Sequence, residues 1–261
     1  MLLIYKKIPV VTGFDDQWHG NIKQHIASLF FPFFRKYFFS YAWVAGPYQC
    51  EYAKRLGFKN NEIIFNLLSC NTKLFSSGID SLEFKKKDFP KTFLYVGNFR
   101  HVKGTDILIE AFEEYQKKYN GDWKLVCVGN GDMLSLLINK HNVEIISFSN
   151  EEELVNIAKR SGIFILPSRS EQWGVVIHEF AAAAMPLILS DNVGAKAEFF
   201  IENYNGITYS DNSKENLAKS MYLMSIKDKA ELIRMCNNSF EMAHKITPKI
   251  SAASFMSILD L

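Results

Sequence analysis

One stretch of the chain reads Phe164-Ile-Leu-Pro-Ser-Arg-Ser-Glu171-Gln-Trp-Gly174-Val-Val-Ile-His-Glu179. The apolar residues at its start predict a buried strand, and the alanine-rich run at 180–185 predicts a helix. Glu171 therefore falls in the connecting loop, and Glu179 lies about a turn and a half inside the helix. At a rise of about 1.5 Å per residue, the steps between the two carboxylates span on the order of 12 Å.

That separation suits a ligand with polar groups at both ends and a charged centre. A nucleotide-sugar has hexose and ribose hydroxyls at a comparable separation, with a diphosphate between them. Trp173, Gly174 and Val175 stand at the predicted helix start, where unpaired backbone N–H groups favour an anion. A lone pair of glutamates at this spacing is a weak signal, but the order of strand, loop and helix around it makes the signal specific.

Two further predicted strands, at residues 93–96 and 125–128, end in glycine-containing loops. These loops supply further candidate binding residues, which are Gly97, Asn98, Arg100, Lys103, Gly129, Asn130 and Gly131. Glycine lets the backbone approach a ligand closely. Because open parallel sheets bind ligands off the carboxyl ends of their strands, we expect all three loops to meet at one site.

The stretch at 164–179 resembles the Glu-x7-Glu signature of the retaining glycosyltransferases of family 4, also called group 1 glycosyltransferases. The segments 186–191 and 194–198 continue in register with the next strand and loop of that family. The resemblance implies an α/β fold of the GT-B type. It comprises a complete C-terminal Rossmann-like doubly wound domain and a partial N-terminal Rossmann-like domain.

The resemblance also implies a reaction and a role for several residues. A retaining hexosyltransferase moves a hexose from a nucleoside diphosphate sugar to an acceptor hydroxyl. The expected acceptor is a glycan or a lipid-linked glycan of cell-surface polysaccharide synthesis. The lysine that matches Lys103 holds the donor diphosphate, Glu171 fixes the sugar, and Glu179 holds the ribose. Charge stabilisation of the departing diphosphate would carry the catalysis.

One phosphate-binding position departs from the family pattern. An arginine usually stands five residues before the lysine, and Asn98 occupies that place here. We expect Arg100 to supply the second cation, because a guanidinium binds phosphate in a bidentate way. The loop that contains Phe148 matches the place where family backbones contact the base. Trp173 either shields the diphosphate from water or fills the loop.

Four segments are predicted along the chain. Residues 1–75 form a partial N-terminal, acceptor-side domain, and the polar, charged residues 76–90 form a linker. Residues 91–242 form the nucleotide-sugar-binding domain, and a helix at 243–261 packs back on the N-terminal part. Strands are predicted at 93–96, 124–128, 143–146, 163–166 and 187–190, and helices at 105–118, 132–139, 151–160 and 175–184.

Complete members of the family carry a further segment before the residues matched here. We therefore expect the first part of the N-terminal domain to be missing. Truncation of the gene product is favoured, because a strand that begins near residue 8 would be an exposed sheet edge. A separate complementing N-terminal chain and a naturally reduced transferase are the alternatives.

The acceptor side offers two candidate residues. Many family members carry a histidine just after the strand that matches residues 9–11, and Phe14 sits near that position here. Asp15 and His19 are close in sequence and are the candidate acceptor contacts. Asp15 with Asp16 could suggest a metal site, but the fold of this family normally needs none, so we expect no metal and no cofactor.

Composition restricts the function classes. A net charge of +2 gives no basic surface for nucleic acid, so no nucleic-acid partner is expected. The four cysteines are scattered, without a C-x-x-C pair, which is compatible with a reducing cytoplasm. The sequence shows no secretory signal and no uncharged stretch long enough to span a bilayer. We therefore expect a cytoplasmic protein.

Residues 22–41 are rich in phenylalanine and include Arg35 and Lys36. Basic residues among aromatics suit a helix on a membrane surface, which would place the protein at the inner face of the membrane. Packing of these phenylalanines against an absent N-terminal half is the alternative. Pro32 argues against one long amphipathic helix.

Three other functions fit parts of the sequence. A nucleotide-sugar-binding domain that is truncated or depends on a partner for catalysis would share every donor residue. An NAD-dependent oxidoreductase would use Gly129 and Gly131, but Leu134 stands where the third glycine of G-x-G-x-x-G belongs. A sugar-nucleotide epimerase on the same fold would act on the donor alone.

Overall fold

The computed structural model describes residues 8–76, 79–147 and 150–259. These residues fall into two compact units. The smaller unit ends at Cys70 and resumes at Ile246, and the larger unit comprises Asn71–Lys245.

Every strand of the described residues belongs to one of two parallel sheets. In chain order the strands are β1 Val11–Phe14, β2 Tyr41–Val44, β3 Ile63–Ile64, β4 Thr92–Val96, β5 Lys124–Val128, β6 Val143–Ile146, β7 Ile163–Leu166, β8 Leu187–Ser190 and β9 Gly206–Tyr209. The smaller unit holds a sheet of order β1-β2-β3, and the larger unit holds a sheet of order β6-β5-β4-β7-β8-β9.

Helices connect the strands. In chain order they are α1 Ile22–Arg35, α2 Pro47–Arg55, α3 Thr72–Phe75, α4 Ile79–Lys87, α5 Thr105–Tyr119, α6 Glu151–Lys159, α7 Val175–Ala182, α8 Lys196–Phe199, α9 Lys214–Ser225, α10 Lys229–Ala243 and α11 Pro248–Met256. Helix α11 belongs to the smaller unit, where Phe255 lies against Trp43 with ring centroids 4.7 Å apart.

The strand order of the larger sheet determines where a ligand can bind. From β4 the chain moves outward through β5 to β6, then returns to form β7 on the other side of β4. The connections after β4 and β7 therefore lead away from each other. In open parallel sheets this reversal opens a crevice at the carboxyl ends of the two strands. The loops that carry Lys103 and Glu171 follow those two strands.

The core of the larger unit lies around the central strands. Every residue of β7 and β8 is buried, as expected for parallel strands covered on both faces. Phe164 of β7 stacks on Phe180 of α7 with ring centroids 4.4 Å apart. Phe75 of α3 meets Phe180 edge to face at 6.2 Å. All three rings are completely buried, so they fix helix α7 against the sheet.

The structure confirms the α/β class with parallel sheets and differs from the sequence predictions in two segments. Residues 132–139, predicted as a helix, contain only the 3₁₀ turn Leu134–Leu136, because the N–H of Met133 bonds to the carbonyl of Phe99. The segment 76–90, predicted as a linker, contains helix α4, which packs against α6 and α10 within the larger unit.

Lys85 shows why this charged segment is not the linker that its composition predicts. Its side chain is completely buried, and its ammonium group donates to the carbonyl of Ala184 at 3.4 Å. Burial lowers the pKa of Lys85 to about 8, although the nearby Cys236 opposes this shift. The long aliphatic stem of a lysine can pack like an apolar side chain, so Lys85 does not mark a solvent-exposed linker.

Replacement of Phe180 tests this account of the core. Phe180→Ala should lower the free energy of unfolding by about 3–5 kcal/mol, because a large buried ring leaves a cavity. Phe84→Ala is the matched control: Phe84 lies on α4 of the same unit with 53% of its surface exposed, and its loss should change stability by about 0.5 kcal/mol or less. Urea denaturation measures both, and equal effects would contradict the packing described.

Candidate active site

A pocket of about 310 Å³ lies at the carboxyl ends of β4 and β7 in the larger unit. Many of the predicted donor residues line it, namely Gly97, Asn98, Lys103, Glu171, Gly174, Val175 and Glu179. Its other lining residues, Tyr95, Val96, Leu166 and Val176, are not among the sequence predictions. Three of these are apolar residues of predicted strands or helices, where sequence alone suggests only a core position.

A second pocket of about 280 Å³ extends from the first. The two share Val96, Gly97 and Asn98. Gly129 and Asn130 also line the second pocket, together with apolar side chains such as Leu154 of α6. The structure thus brings the loops after β4, β5 and β7 together at one edge of the sheet.

Lys103 and Glu171 meet across the first pocket. The ammonium nitrogen of Lys103 lies 2.6 Å from Oε2 of Glu171, and the hydroxyl of Ser168 donates to the same oxygen at 3.1 Å. Lys103 is 29% exposed and Glu171 is 16% exposed, so both charges face the pocket from partly buried positions. The backbone N–H of Glu171 donates to the carbonyl of Asn192 and its carbonyl accepts from Gly194, which fixes the loop.

Gly174 is required where helix α7 begins. Its φ of +94° is unfavourable for residues with a side chain, and a Cβ there would lie 3.0 Å from Cγ of Glu171. The N–H groups of Val175 and Val176 occupy the first turn of α7, where helix geometry provides no intrahelical acceptor. The pocket therefore has the positive end of a helix on one wall and the Lys103 ammonium on another.

Glu179 lies one turn further along α7 and lines the same pocket. Burial raises the pKa of Glu179 to about 7, and the negative charge of Glu151 adds to this effect. A carboxyl group with this pKa accepts hydrogen bonds from sugar hydroxyls when ionised and can donate one when protonated. The two glutamates of the pocket therefore have different environments, since Glu171 has a cation beside it.

Glycines after β5 allow two loops to touch. A Cβ on Gly129, whose φ is +142°, would lie 2.1 Å from the carbonyl oxygen of Gly97. A Cβ on Gly131 would lie 2.4 Å from the carbonyl oxygen of Phe99. Gly131 thus contributes through backbone packing and is not among the described residues that line either pocket.

Two predicted donor-site residues lie outside the described lining of the pockets, and the placement of a third is not described. Trp173 is 2% exposed and packs edge to face on Phe199, so its ring fills the loop and is not part of the described lining of either pocket. Arg100 is exposed and is likewise absent from that described lining. Phe148 lies outside the described residues.

His178 belongs to the larger unit but is not among the described residues that line either pocket, and the acceptor-side candidates belong to the smaller unit. His178 is completely buried, stacks on Phe199 with centroids 4.0 Å apart and bonds to the carbonyl of Ala243. Asp15 and His19 are exposed on the loop after β1 in the smaller unit. Across the described parts of the chain, no group of three or more His, Cys, Asp and Glu side chains is arranged to hold a metal ion.

Comparison with known proteins agrees with this geometry. The family of group 1 glycosyl transferases matches residues 79–239, which is more than half of the chain. The chain belongs to the group 1 glycosyltransferase family. An uncharacterized glycosyltransferase of Methanocaldococcus jannaschii is 28% identical over 178 residues, or 59% of this chain and 45% of that protein. The glycogen synthase of Mycobacterium tuberculosis is 28% identical over 157 residues, or 56% of this chain and 37% of that protein.

Solved structures share the GT-B fold with this chain. The crystal structure of Anabaena HepE in complex with UDP has a TM-score of 0.78, with 15% identity over 99% of this chain and 74% of that one. The C-terminal domain of the group 1 protein LpcC from Francisella tularensis has a TM-score of 0.54, with 20% identity over 68% of this chain and 97% of that one. The alignments with the first curated relatives span less than half of their length.

The pH dependence of the free energy of unfolding tests the raised pKa of Glu179. Its pKa is raised from 4.5 to about 7 on folding, so its stabilising contribution is complete below about pH 4.5 and is lost as pH rises to about 7. Glu179→Gln should remove this loss and become more stable than the wild type by up to about 3 kcal/mol above pH 7. Urea denaturation between pH 4.5 and 8 measures the difference.

The exposed Glu144 provides the control for this titration. Glu144→Gln should leave the pH dependence of stability unchanged. If the wild type and Glu179→Gln showed parallel pH profiles, the raised pKa of Glu179 would be wrong.

Proposed function

We propose that this chain takes part in the transfer of a hexose from a nucleoside diphosphate sugar to an acceptor hydroxyl, with retention of anomeric configuration. The observation that carries the proposal is the meeting of Lys103, Glu171 and the start of α7 at one pocket. This arrangement offers an anion two positive partners and offers a sugar a carboxylate within the same cavity.

The diphosphate would bind between Lys103 and the N–H groups of Val175 and Val176. A phosphate oxygen would then compete with Glu171 for the Lys103 ammonium, because Oε2 of Glu171 lies 2.6 Å from that nitrogen. Glu171 would keep the hydrogen bond from Ser168 and gain hydroxyl groups of the sugar as donors. Oriented donors in a partly desolvated pocket stabilise the charge that develops on the leaving diphosphate.

The nucleoside would occupy the far end of the pocket. Glu179 accepts hydrogen bonds from the ribose hydroxyls in this arrangement, and its ionised form is the better acceptor. The adjoining pocket, with Val128 and Leu154 in its walls, suits the flat face of a base. We propose that the reaction needs no metal or other cofactor, because Lys103 and α7 supply the positive charge.

The anomeric configuration is retained because the bond to the acceptor forms on the same face of the sugar from which the diphosphate leaves. In the proposed reaction the acceptor oxygen attacks the anomeric carbon on the side from which the diphosphate leaves. The acceptor proton passes to an oxygen of the departing diphosphate, so that no protein base is required. Glu171 and Glu179 then serve only to hold the donor.

Donor binding tests the proposed function. Lys103→Ala should weaken binding of a UDP-, GDP- or ADP-sugar by about 10- to 100-fold, since a charged hydrogen bond contributes about 1.5–3 kcal/mol. Lys91→Ala is the control, because Lys91 pairs with Asp122 at an exposed site of the same unit. Calorimetry at fixed ionic strength measures binding, and NMR of the product reports the anomeric configuration. A wild type that binds none of these donors would exclude the proposed function.

Arg100 forms a separate arm of that experiment. We propose that its guanidinium reaches the diphosphate in the bound state, which predicts a several-fold loss of donor affinity in Arg100→Ala. Unchanged affinity would exclude Arg100 as the second cation.

A partner-dependent nucleotide-sugar-binding domain is the second candidate function. The larger unit alone holds both pockets, and the chain matches less than half of its first curated relatives. Donor binding without turnover, for any acceptor supplied, would favour this candidate over an independent transferase.

We further propose a lipid-linked acceptor and contact with the cytoplasmic face of a membrane. Helix α1 and the turn that follows it expose a stripe of apolar side chains, which comprises Ile22, Ile26, Leu29, Phe30, Phe33, Phe34 and Tyr37. Lys23 and Lys36 flank the stripe, and the sequence has no acidic residue between Asp16 and Glu51. These features suit an anionic lipid surface. Pro32 lies inside α1 without ending it, so the expected break is not observed.

Vesicle flotation tests contact with a lipid surface. Among the described residues, no helix has the length and apolar character needed to cross a bilayer. The wild type should float with anionic vesicles, and the double variant Phe33→Ser with Phe34→Ser should float at least several-fold less. Phe84→Ser, at an exposed phenylalanine of the larger unit, should float like the wild type. A wild type that stays at the bottom of the gradient would exclude membrane contact.

A further inference from the structure

A partly buried ion pair joins the first turn of α5, which follows the loop after β4, to the loop after β7. Both terminal nitrogens of Arg169 bond to the carboxylate of Asp106, at 2.6 and 2.7 Å. Arg169 also donates to the carbonyl of His101, and its backbone N–H donates to the carbonyl of Val102 at 2.9 Å. Arg169 therefore contacts three residues of the segment 101–106. It forms a bidentate pair with the side chain of Asp106 and bonds to the backbone carbonyls of the other two.

Backbone packing brings the same two loops into contact. Gly104 has a φ of +72°, and a Cβ there would lie 2.0 Å from the carbonyl oxygen of Pro167. Only glycine allows this approach. The Arg169 contacts and the Gly104 contact thus fasten the segment 101–106 to the segment 167–169.

Lys103 and Glu171 stand directly beside the fastened residues. Lys103 follows Val102, whose carbonyl accepts from Arg169, and Glu171 is two residues beyond Arg169. Any loosening of Arg169 would therefore let the two pocket charges move apart. Arg169 is not among the described residues that line the pockets, so its influence on a ligand acts through Lys103 and Glu171.

The charges of the ion pair also matter to an anion in the pocket. Burial tends to raise the pKa of Asp106, but the hydrogen bonds and the charge of Arg169 outweigh this, so the pKa lies below its ordinary value. The Asp106 carboxylate thus stays ionised and paired. Without Arg169 the carboxylate of Asp106, three residues beyond Lys103 in the chain, would lose its bidentate partner, and His101 lies 3.8 Å from it as a further cation when protonated.

We propose that Arg169 and Asp106 are positioning residues that set the spacing of Lys103 and Glu171 for a nucleoside diphosphate. This inference rests on the proposed function of the pocket. The ion pair does not line the pocket, but it would contribute to the affinity of the pocket for its ligand. A charge that is held in place binds phosphate better than one that moves.

A double-mutant cycle separates positioning from general structural damage. The binding partner is whichever of UDP, GDP and ADP binds the wild type most tightly by calorimetry. Arg169→Gln should weaken its binding about 10-fold in the wild-type background and less than twofold when Lys103 is already alanine. Arg169→Lys should recover only part of the loss, because an ammonium cannot reproduce the bidentate pair.

Two further variants complete the design. Asp106→Asn keeps the shape of the side chain and carries the test if Arg169→Gln does not fold; it should also weaken binding several-fold. Arg234→Gln is the matched control, since Arg234 is an exposed arginine of the same unit near Glu231, and it should bind like the wild type.

The outcomes distinguish the two levels of inference. A wild type that binds none of the three nucleotides overturns the proposed function and this inference with it. A wild type that binds, with Arg169→Gln and Asp106→Asn binding equally well, overturns the positioning role alone. An Arg169→Gln loss of the same size in the Lys103→Ala background also overturns it, because the arginine would then act independently of Lys103.

Discussion

The ammonium of Lys103 and the carboxylate of Glu171 meet where the strand order of the larger sheet reverses. Neither group is fully exposed, so each is held more strongly by the other than a pair in bulk water would be. The surrounding features keep the loops after β4 and β7 at this spacing. Gly104 lies against Pro167, and Gly174 leaves room for the side chain of Glu171. This contact between oppositely charged groups therefore depends on the backbone packing of both loops.

An ion pair that faces a cavity can serve two states. In the structure the two charges neutralise each other, which limits the cost of holding them partly out of water. When an anion binds, Lys103 can turn to it while Ser168 continues to donate to Glu171. Glu179 has no such cation beside it in the described contacts, and burial raises its pKa. The two ends of the pocket therefore differ in their electrostatic surroundings.

Sequence alone predicts the parts of this protein that depend on order along the chain. The central strands, the class of fold and the loops that meet at the pocket follow from apolar runs that end in glycine and polar residues. Directions of side chains do not follow from such patterns. Trp173 turns into the core, and Lys85 is buried along its stem although its neighbours are charged. Pro32 lies within α1 without ending it, although proline usually interrupts a helix.

The pocket groups all belong to residues 71–245, and the family match at 79–239 covers almost the same span. The described lining of both pockets belongs to this one unit. Substitutions on the surface of the smaller unit would therefore leave the residues that line these pockets unchanged. The family match likewise falls within the larger unit and does not include residues 1–70.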